Sequence, residues 1–213
     1  QWLFSNEEAG KCNKLLNEFD AVSVREFSGI SLTNKKFGVK SEKVLDPTFL
    51  LDKSDYLNLI KKYNEPKNEN KLFTYILDER IENNDIVSEI SKLLELEPFK
   101  VMPRSFDKNF TKSNNNYVFP NVTKWIQAFD DAEFVIADSF HGCVLSIIFN
   151  KPFIAIGNKE RGLTRFHSLL KTFNLEDRLI LKNRGLTKDL LKSKIDWNSV
   201  NTILEDQKVI SKR

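Results

Sequence analysis

The stretch Phe134-Val135-Ile136-Ala137-Asp138-Ser139-Phe140-His141-Gly142-Cys143 decides the fold. Its first four residues are a short apolar run next to charged neighbours, the pattern of a buried strand. Val144-Leu-Ser-Ile-Ile-Phe149 follows and reads as a buried helix, within a helical segment over 140–150. A polar cluster containing a histidine therefore stands where a strand hands over to a helix. In an α/β sheet that handover lies at the carboxyl edge of the strands, where ligands bind.

Outward from this stretch the alternation repeats. Phe153-Ile-Ala-Ile156 is a further strand, followed by a helix whose apolar face is Leu163, Phe166, Leu169, Leu170 and Phe173. Upstream, Val122, Trp125, Ile126 and Phe129 recur at i, i+3, i+4 and i+7, the mark of an amphipathic helix. Leu72 to Leu77 reads as a strand, Ile86, Val87, Ile90, Leu93 and Leu94 mark a helix, and Phe99 to Met102 a second strand. The predicted class is α/β, a Rossmann-like parallel sheet with helices on both faces. Pro103 to Pro120 is a long polar loop, uncommon unless functional or mobile.

Nearer the start, residues 11–19 close a helix, and Ala21 to Arg25 is a short β-rich run ending on a charge. A helix opens at Glu26 with Gly38 as its stop. Lys43 to Leu51 begins as a strand that Pro47 turns or confines to an edge. Ser54 caps a helix running to Tyr63. The polar segment 64–70 reads as a linker at a domain boundary, and Val200 to Ile210 as a last helix that stops without a clear cap. The expected division is 1–52, a connecting helix and linker over 53–70, and 71–213.

With 213 residues and 40% apolar side chains the chain can build a real core. A net charge of +3 from scattered lysines argues against nucleic acid as a partner. No apolar run approaches the roughly 18 residues of a spanning helix, and the first residues resemble neither a signal nor a transit peptide. The missing initiator Met suggests a fragment. Cys12 and Cys143 have no metal or redox spacing, so a reduced, cytosolic protein without a metal is the default. The sequons at Asn109 and Asn121 carry little weight without a secretory signal.

Two consecutive units end in polar loops, Asp138 to Gly142 and Gly157-Asn-Lys159-Glu160-Arg161-Gly162. Right-handed crossovers bring both loops to one edge of the sheet. Each precedes a helix N-terminus, which favours an anion, and Ser139 or Asp138 is available to cap the first helix. Neither a P-loop nor a Rossmann glycine fingerprint is present. His141 reads either as a capping or core histidine or as a general acid/base or anion donor. Lys159 and Arg161 read as anion ligands or as surface charges, and Arg165 could point either way. His167 is expected to be structural, Cys143 a packing residue, and no nucleophile elbow is present.

The run Phe134 to Gly142, with Ser146 to Phe153, Asn158 to Gly162, Arg165-Phe166, Ser168 to Leu170 and Asp177-Arg178, resembles the polysaccharide pyruvyl transferase family. Phe19-Asp-Ala-Val-Ser-Val-Arg-Glu26, Val44-Leu-Asp-Pro-Thr-Phe-Leu-Leu-Asp52 and Trp125-Ile126 extend the likeness upstream. The resemblance implies a two-domain, GT-B-like protein, of which residues 1–52 end the first Rossmann-like half and the remainder forms most of the second. It implies transfer of a pyruvyl group from phosphoenolpyruvate to two sugar hydroxyls of a cell-surface or exopolysaccharide glycan, as a cyclic ketal. His141 would be the acid/base, and Arg25 would reach the phosphate or carboxylate of the donor from the other half. Lys159 and Arg161 would add positive charge. Some members have an arginine two residues before the histidine, where this chain has Ser139. Ser139 then lines the donor site, with a cation drawn from Arg161 or Arg165. The implied partners are phosphoenolpyruvate and a glycan or lipid-linked saccharide, with no cofactor, in the cytoplasm or at the inner face of the membrane. The alternatives are a nucleotide-sugar glycosyltransferase of GT-B-like fold and a non-catalytic glycan-binding domain.

Overall fold

A computed structural model describes residues 4–63, 65–78, 80–103, 117–157, 162–181 and 186–212. The first part of the chain runs α1 (Asn6–Leu16), β1 (Ser23–Val24), α2 (Phe27–Phe37), β2 (Glu42–Lys43), a 3-10 turn (Pro47–Leu50) and α3 (Lys53–Lys61). The strands β1 and β2 pair in parallel, so residues 25 and 44 leave the same edge of a two-stranded sheet. Beyond them come β3 (Leu72–Tyr75), α4 (Ile81–Leu94), β4 (Pro98–Phe99), α5 (Val122–Asp131), β5 (Phe134–Ala137), α6 (Phe140–Ile148), β6 (Phe153–Ile156), α7 (Leu163–Thr172), β7 (Leu179–Ile180), α8 (Lys188–Lys192) and α9 (Trp197–Ser211).

Five of these strands form one parallel sheet in the order β4-β3-β5-β6-β7. Every residue of β5 and β6 is buried, as expected for strands covered on both faces. Alternate side chains divide the core in two. Leu72, Phe134, Ile136, Ile154 and Ile156 pack with Ile86 and Ile90 of α4 and Leu191 of α8. Phe73, Val135, Ala137, Phe153 and Ala155 pack with Ile126 and Phe129 of α5 and with α6 and α7. The α/β architecture expected from the sequence is present, with helices on both faces.

The segment after β2 shares the second of these cores. Leu45, Phe49, Tyr56 and Ile60 belong to it, and the Phe49 ring lies 5.3 Å from that of Phe173. Helix α9 returns to the same segment: Leu45 N–H donates to Ser211 Oγ at 2.9 Å, and the buried Lys208 ammonium pairs with Asp52 and Glu205. At the other end of the sheet Arg178 is a clamp, donating to Leu190 O at 3.1 Å and to Ser193 Oγ at 2.7 Å, which fixes α8.

Several boundaries differ from expectation for local reasons. Helix α1 begins at Asn6 because Ser5 and Glu8 form a capping box, and it ends at Leu16 rather than 19. Helix α3 is capped by Asp52, not Ser54, with Asp52 N–H donating to Asp55 at 2.8 Å. Gly38 closes α2 as expected, at φ 67°. The second strand is Pro98–Phe99 rather than 99–102, and β3 ends at Tyr75. Helix α9 starts at Trp197, where the Asp196 carboxylate accepts from Asn198 and Ser199 N–H. The short β7 and α8 carry too few residues to show a period. Of the expected 103–120 loop, residues 104–116 lie outside the described residues.

Candidate active site

In chain order the sheet reads second, first, third, fourth, fifth, so its direction of growth reverses between β3 and β5. Such a reversal opens a crevice beyond the carboxyl ends of the two strands. Asp138 and His141 follow β5 there. The buried Asp138 carboxylate accepts from Leu77 N–H at 2.7 Å and Asp78 N–H at 2.9 Å, and so ties down the loop after β3. Of the two residues expected as caps of α6, Ser139 is the one that caps, its Oγ accepting from Gly142 N–H at 3.0 Å. Gly142 has no room for a side chain: a Cβ would lie 2.6 Å from Ala137 Cβ and 3.1 Å from Tyr75 Cδ1. Only a glycine lets the first turn of α6 start this close to the end of β5.

His141 is not a core histidine. Its side chain is 53% exposed on the first turn of α6, and its Nε2 stands 3.8 Å from Asp46 Oδ2. The Arg25 guanidinium pairs with that same oxygen and lies 5.5 Å from the centre of the Phe140 ring, a cation–π contact. Arg25 follows β1 and Asp46 lies just past β2, so the carboxyl edge of the small sheet meets the carboxyl edge of the large one at His141.

Asp46 is the centre of this arrangement. Its side chain is 4% exposed, and its other oxygen, Oδ1, accepts from Thr48 N–H at 3.0 Å and Thr48 Oγ1 at 2.7 Å. Tyr56 OH donates in turn to Thr48 O at 2.8 Å, anchoring the turn to α3. Burial alone would raise the Asp46 carboxyl, but the Thr48 hydrogen bonds and the Arg25 charge outweigh it and hold it below the usual carboxylate range. A depressed folded-state value means that this contribution to stability is complete above the ordinary carboxylate range. It is lost as pH falls through the lowered value.

On the facing helix, Gly162 caps α7 at φ 83°. Arg165 Nε lies 3.9 Å from Glu26 Oε1, Thr164 Oγ1 donates to Glu26 Oε2 at 3.2 Å, and Phe27 N–H donates to Ser168 Oγ at 3.2 Å. These contacts dock the segment after β1 on α7, with Arg165 beside the residue that follows Arg25. Of the residues proposed from sequence, His141 and Arg25 are brought together, and Arg165 sits one residue along. The Ser139 hydroxyl is engaged as a cap. Lys159 and Arg161 lie outside the described residues. His167 is exposed on α7, and the Cys143 thiol is pushed up by burial and by nearby Asp138, so it remains protonated at neutral pH. Ser139→Ala is expected to lower stability by about 1 kcal/mol, the worth of one N-cap, as read by urea denaturation.

Sequence reasoning missed Asp46. Asp46-Pro47-Thr48 signals a capped turn, which it is, but its contact with His141 joins residues far apart in the chain.

A search of curated proteins finds no significant match. Among solved structures the chain is similar to the wall teichoic acid polymerase TagF, with 12% identity and a TM-score of 0.43. The alignment covers 100% of this chain and 56% of that one, so the chain spans little more than half the length of that polymerase. The family model of the polysaccharide pyruvyl transferases matches residues 2–160, which takes in β1, Arg25, Asp46, the whole of β5 and α6, and His141. With that match over most of its length, the chain belongs to the polysaccharide pyruvyl transferase family.

Proposed function

We propose that this chain transfers a pyruvyl group from phosphoenolpyruvate to two hydroxyls of a cell-surface or exopolysaccharide glycan, forming a cyclic ketal. The observation that carries the reading is the meeting of Arg25 and His141 at one buried carboxylate, where two carboxyl sheet edges come together. Phosphoenolpyruvate has two anionic groups, and a fixed guanidinium beside a helix N-terminus suits one of them. Arg165, Lys159 and Arg161 are the further cations, and Ser139 shapes the wall as the cap of α6. Residues 1–52 and 71–213 then contribute to the two halves of a GT-B-like protein, with 53–70 between them.

The chemistry balances with protein groups alone. A proton passes to the methylene carbon as the double-bond pair takes it up, and the adjacent carbon becomes electrophilic. One sugar hydroxyl forms a C–O bond there. The second hydroxyl forms another as the bond to phosphate breaks and phosphate leaves with the pair. Of the two hydroxyl protons, one replaces the proton delivered to carbon and the other ends on phosphate. In this reading His141 moves the protons and Arg25 stabilises the departing charge.

The acceptor is a glycan or lipid-linked saccharide met in the cytoplasm or at the inner face of the membrane. Among the described residues no helix is long and apolar enough to cross a membrane. The test is phosphate release from phosphoenolpyruvate by the full-length protein, with labelled pyruvyl groups followed into a saccharide acceptor. Acceptor-dependent release supports the reading. Transfer from a nucleotide sugar instead, or competition by nucleotide sugars for labelled phosphoenolpyruvate, overturns it in favour of a glycosyltransferase.

A further inference from the structure

We propose that Asp46 is the positioning residue of this site, one buried carboxylate that sets Arg25 and His141 relative to each other. The inference rests on the pyruvyl-transfer reading. A carboxylate is an unexpected neighbour for an anion site, since its charge opposes that of the donor. Its surroundings show a side chain held in one place from both ends. Oδ1 is fixed by the Thr48 N–H and hydroxyl, Thr48 is fixed by Tyr56 of α3, and the preceding Leu45 N–H is fixed by Ser211 of α9. The orientation of the carboxylate is therefore determined by three separate elements, and Oδ2 is turned toward Arg25 and His141.

At Oδ2 it meets both groups that the chemistry uses, the Arg25 guanidinium and, 3.8 Å away, His141 Nε2. A guanidinium carries five N–H donors in a rigid fork, so engaging one edge with Asp46 orients the remainder toward a ligand. Fixing the long arginine side chain before the donor arrives removes an ordering cost from binding. The same oxygen faces the imidazole edge of His141. Arg25 follows a strand of the small sheet and His141 a strand of the large one, and Asp46 is the group through which their separation is held.

Asp46→Asn in the full-length protein tests this. The amide keeps the shape and can still accept from Thr48, but loses the charge. The expected result is a fall in kcat of roughly 10- to 100-fold, the scale of a small misplacement of reacting groups. The KM for phosphoenolpyruvate moves far less, because removing a negative charge from the anion site offsets the looser hold on Arg25. In Arg25→Ala or His141→Ala backgrounds the same change adds little, since the pair being positioned is already broken. Full additivity in both backgrounds, or a fall confined to thermal stability, overturns the proposal. A readout independent of the reaction is rotation of the Arg25 guanidinium by side-chain NMR, slow in the wild type and freed in Asp46→Asn. If wild-type protein releases no phosphate from phosphoenolpyruvate, the reaction reading fails. The NMR arm then decides the contact alone, and a wild-type Arg25 that already rotates freely overturns it.

Discussion

Replacing His141 by alanine is expected to lower acceptor-dependent phosphate release from phosphoenolpyruvate by about 10³-fold, within the range for loss of a general acid/base. The fold should barely notice. The side chain is 53% exposed, and the Asp46 carboxylate it faces stays compensated by Arg25 and Thr48, so stability should shift by no more than about 0.5 kcal/mol. A wild-type melting curve with a collapsed rate separates a chemical role from a structural one. Donor binding, followed by isothermal calorimetry, should survive, because Arg25, the cation proposed to hold the anion, lies on a different element. Full retention of the rate in His141→Ala would remove the histidine from the mechanism while leaving Arg25 as a candidate ligand.

How much of this could be read from the sequence follows the range of the interactions concerned. Strands β5 and β6 and helices α5 and α7 were legible because burial writes a local pattern: a run of four apolar residues for a doubly covered strand, a period near 3.6 for a half-covered helix. The placement of His141 at a strand-to-helix handover followed from the same pattern. The choice of Ser139 over Asp138 as cap did not. Both side chains can accept a backbone N–H, and the decision depends on the loop after β3, whose Leu77 and Asp78 amides take up the Asp138 carboxylate. The start of α1 was a local signal passed over, since Ser5-Asn-Glu-Glu8 is a capping box in the sequence itself. Asp46 was beyond local reading. Beyond its local partner Thr48, it meets residues at positions 25 and 141, and only the meeting of two sheet edges brings them to one oxygen.

Removing the other half of that meeting has a double consequence. Arg25→Ala should lower kcat/KM for phosphoenolpyruvate by about 10²- to 10³-fold, the cost of one pre-organised donor at a site of developing charge. Arg25→Lys should recover little of it, because an ammonium cannot bind Asp46 with one edge and a ligand with the other. Unlike the histidine change, Arg25→Ala also acts on the fold. It leaves the Asp46 carboxylate buried with Thr48 as its hydrogen-bonding partner, a deficit of about 1–3 kcal/mol in urea denaturation at neutral pH. The figure sits below that for a fully buried pair because the Arg25 side chain is 40% exposed and water screens part of its charge. The deficit carries its own signature in pH. In the wild type the Asp46 carboxyl is held low in part by Arg25, and without that cation its folded-state value rises. Above both values the stability gap between wild type and variant is complete. As pH falls through them the carboxyl is protonated in each protein, and the penalty for an unpaired charge disappears. The two denaturation midpoints should therefore converge on acidification, whereas a gap that persists unchanged at low pH would mean that Arg25 stabilises the fold through packing on Phe140 rather than through Asp46.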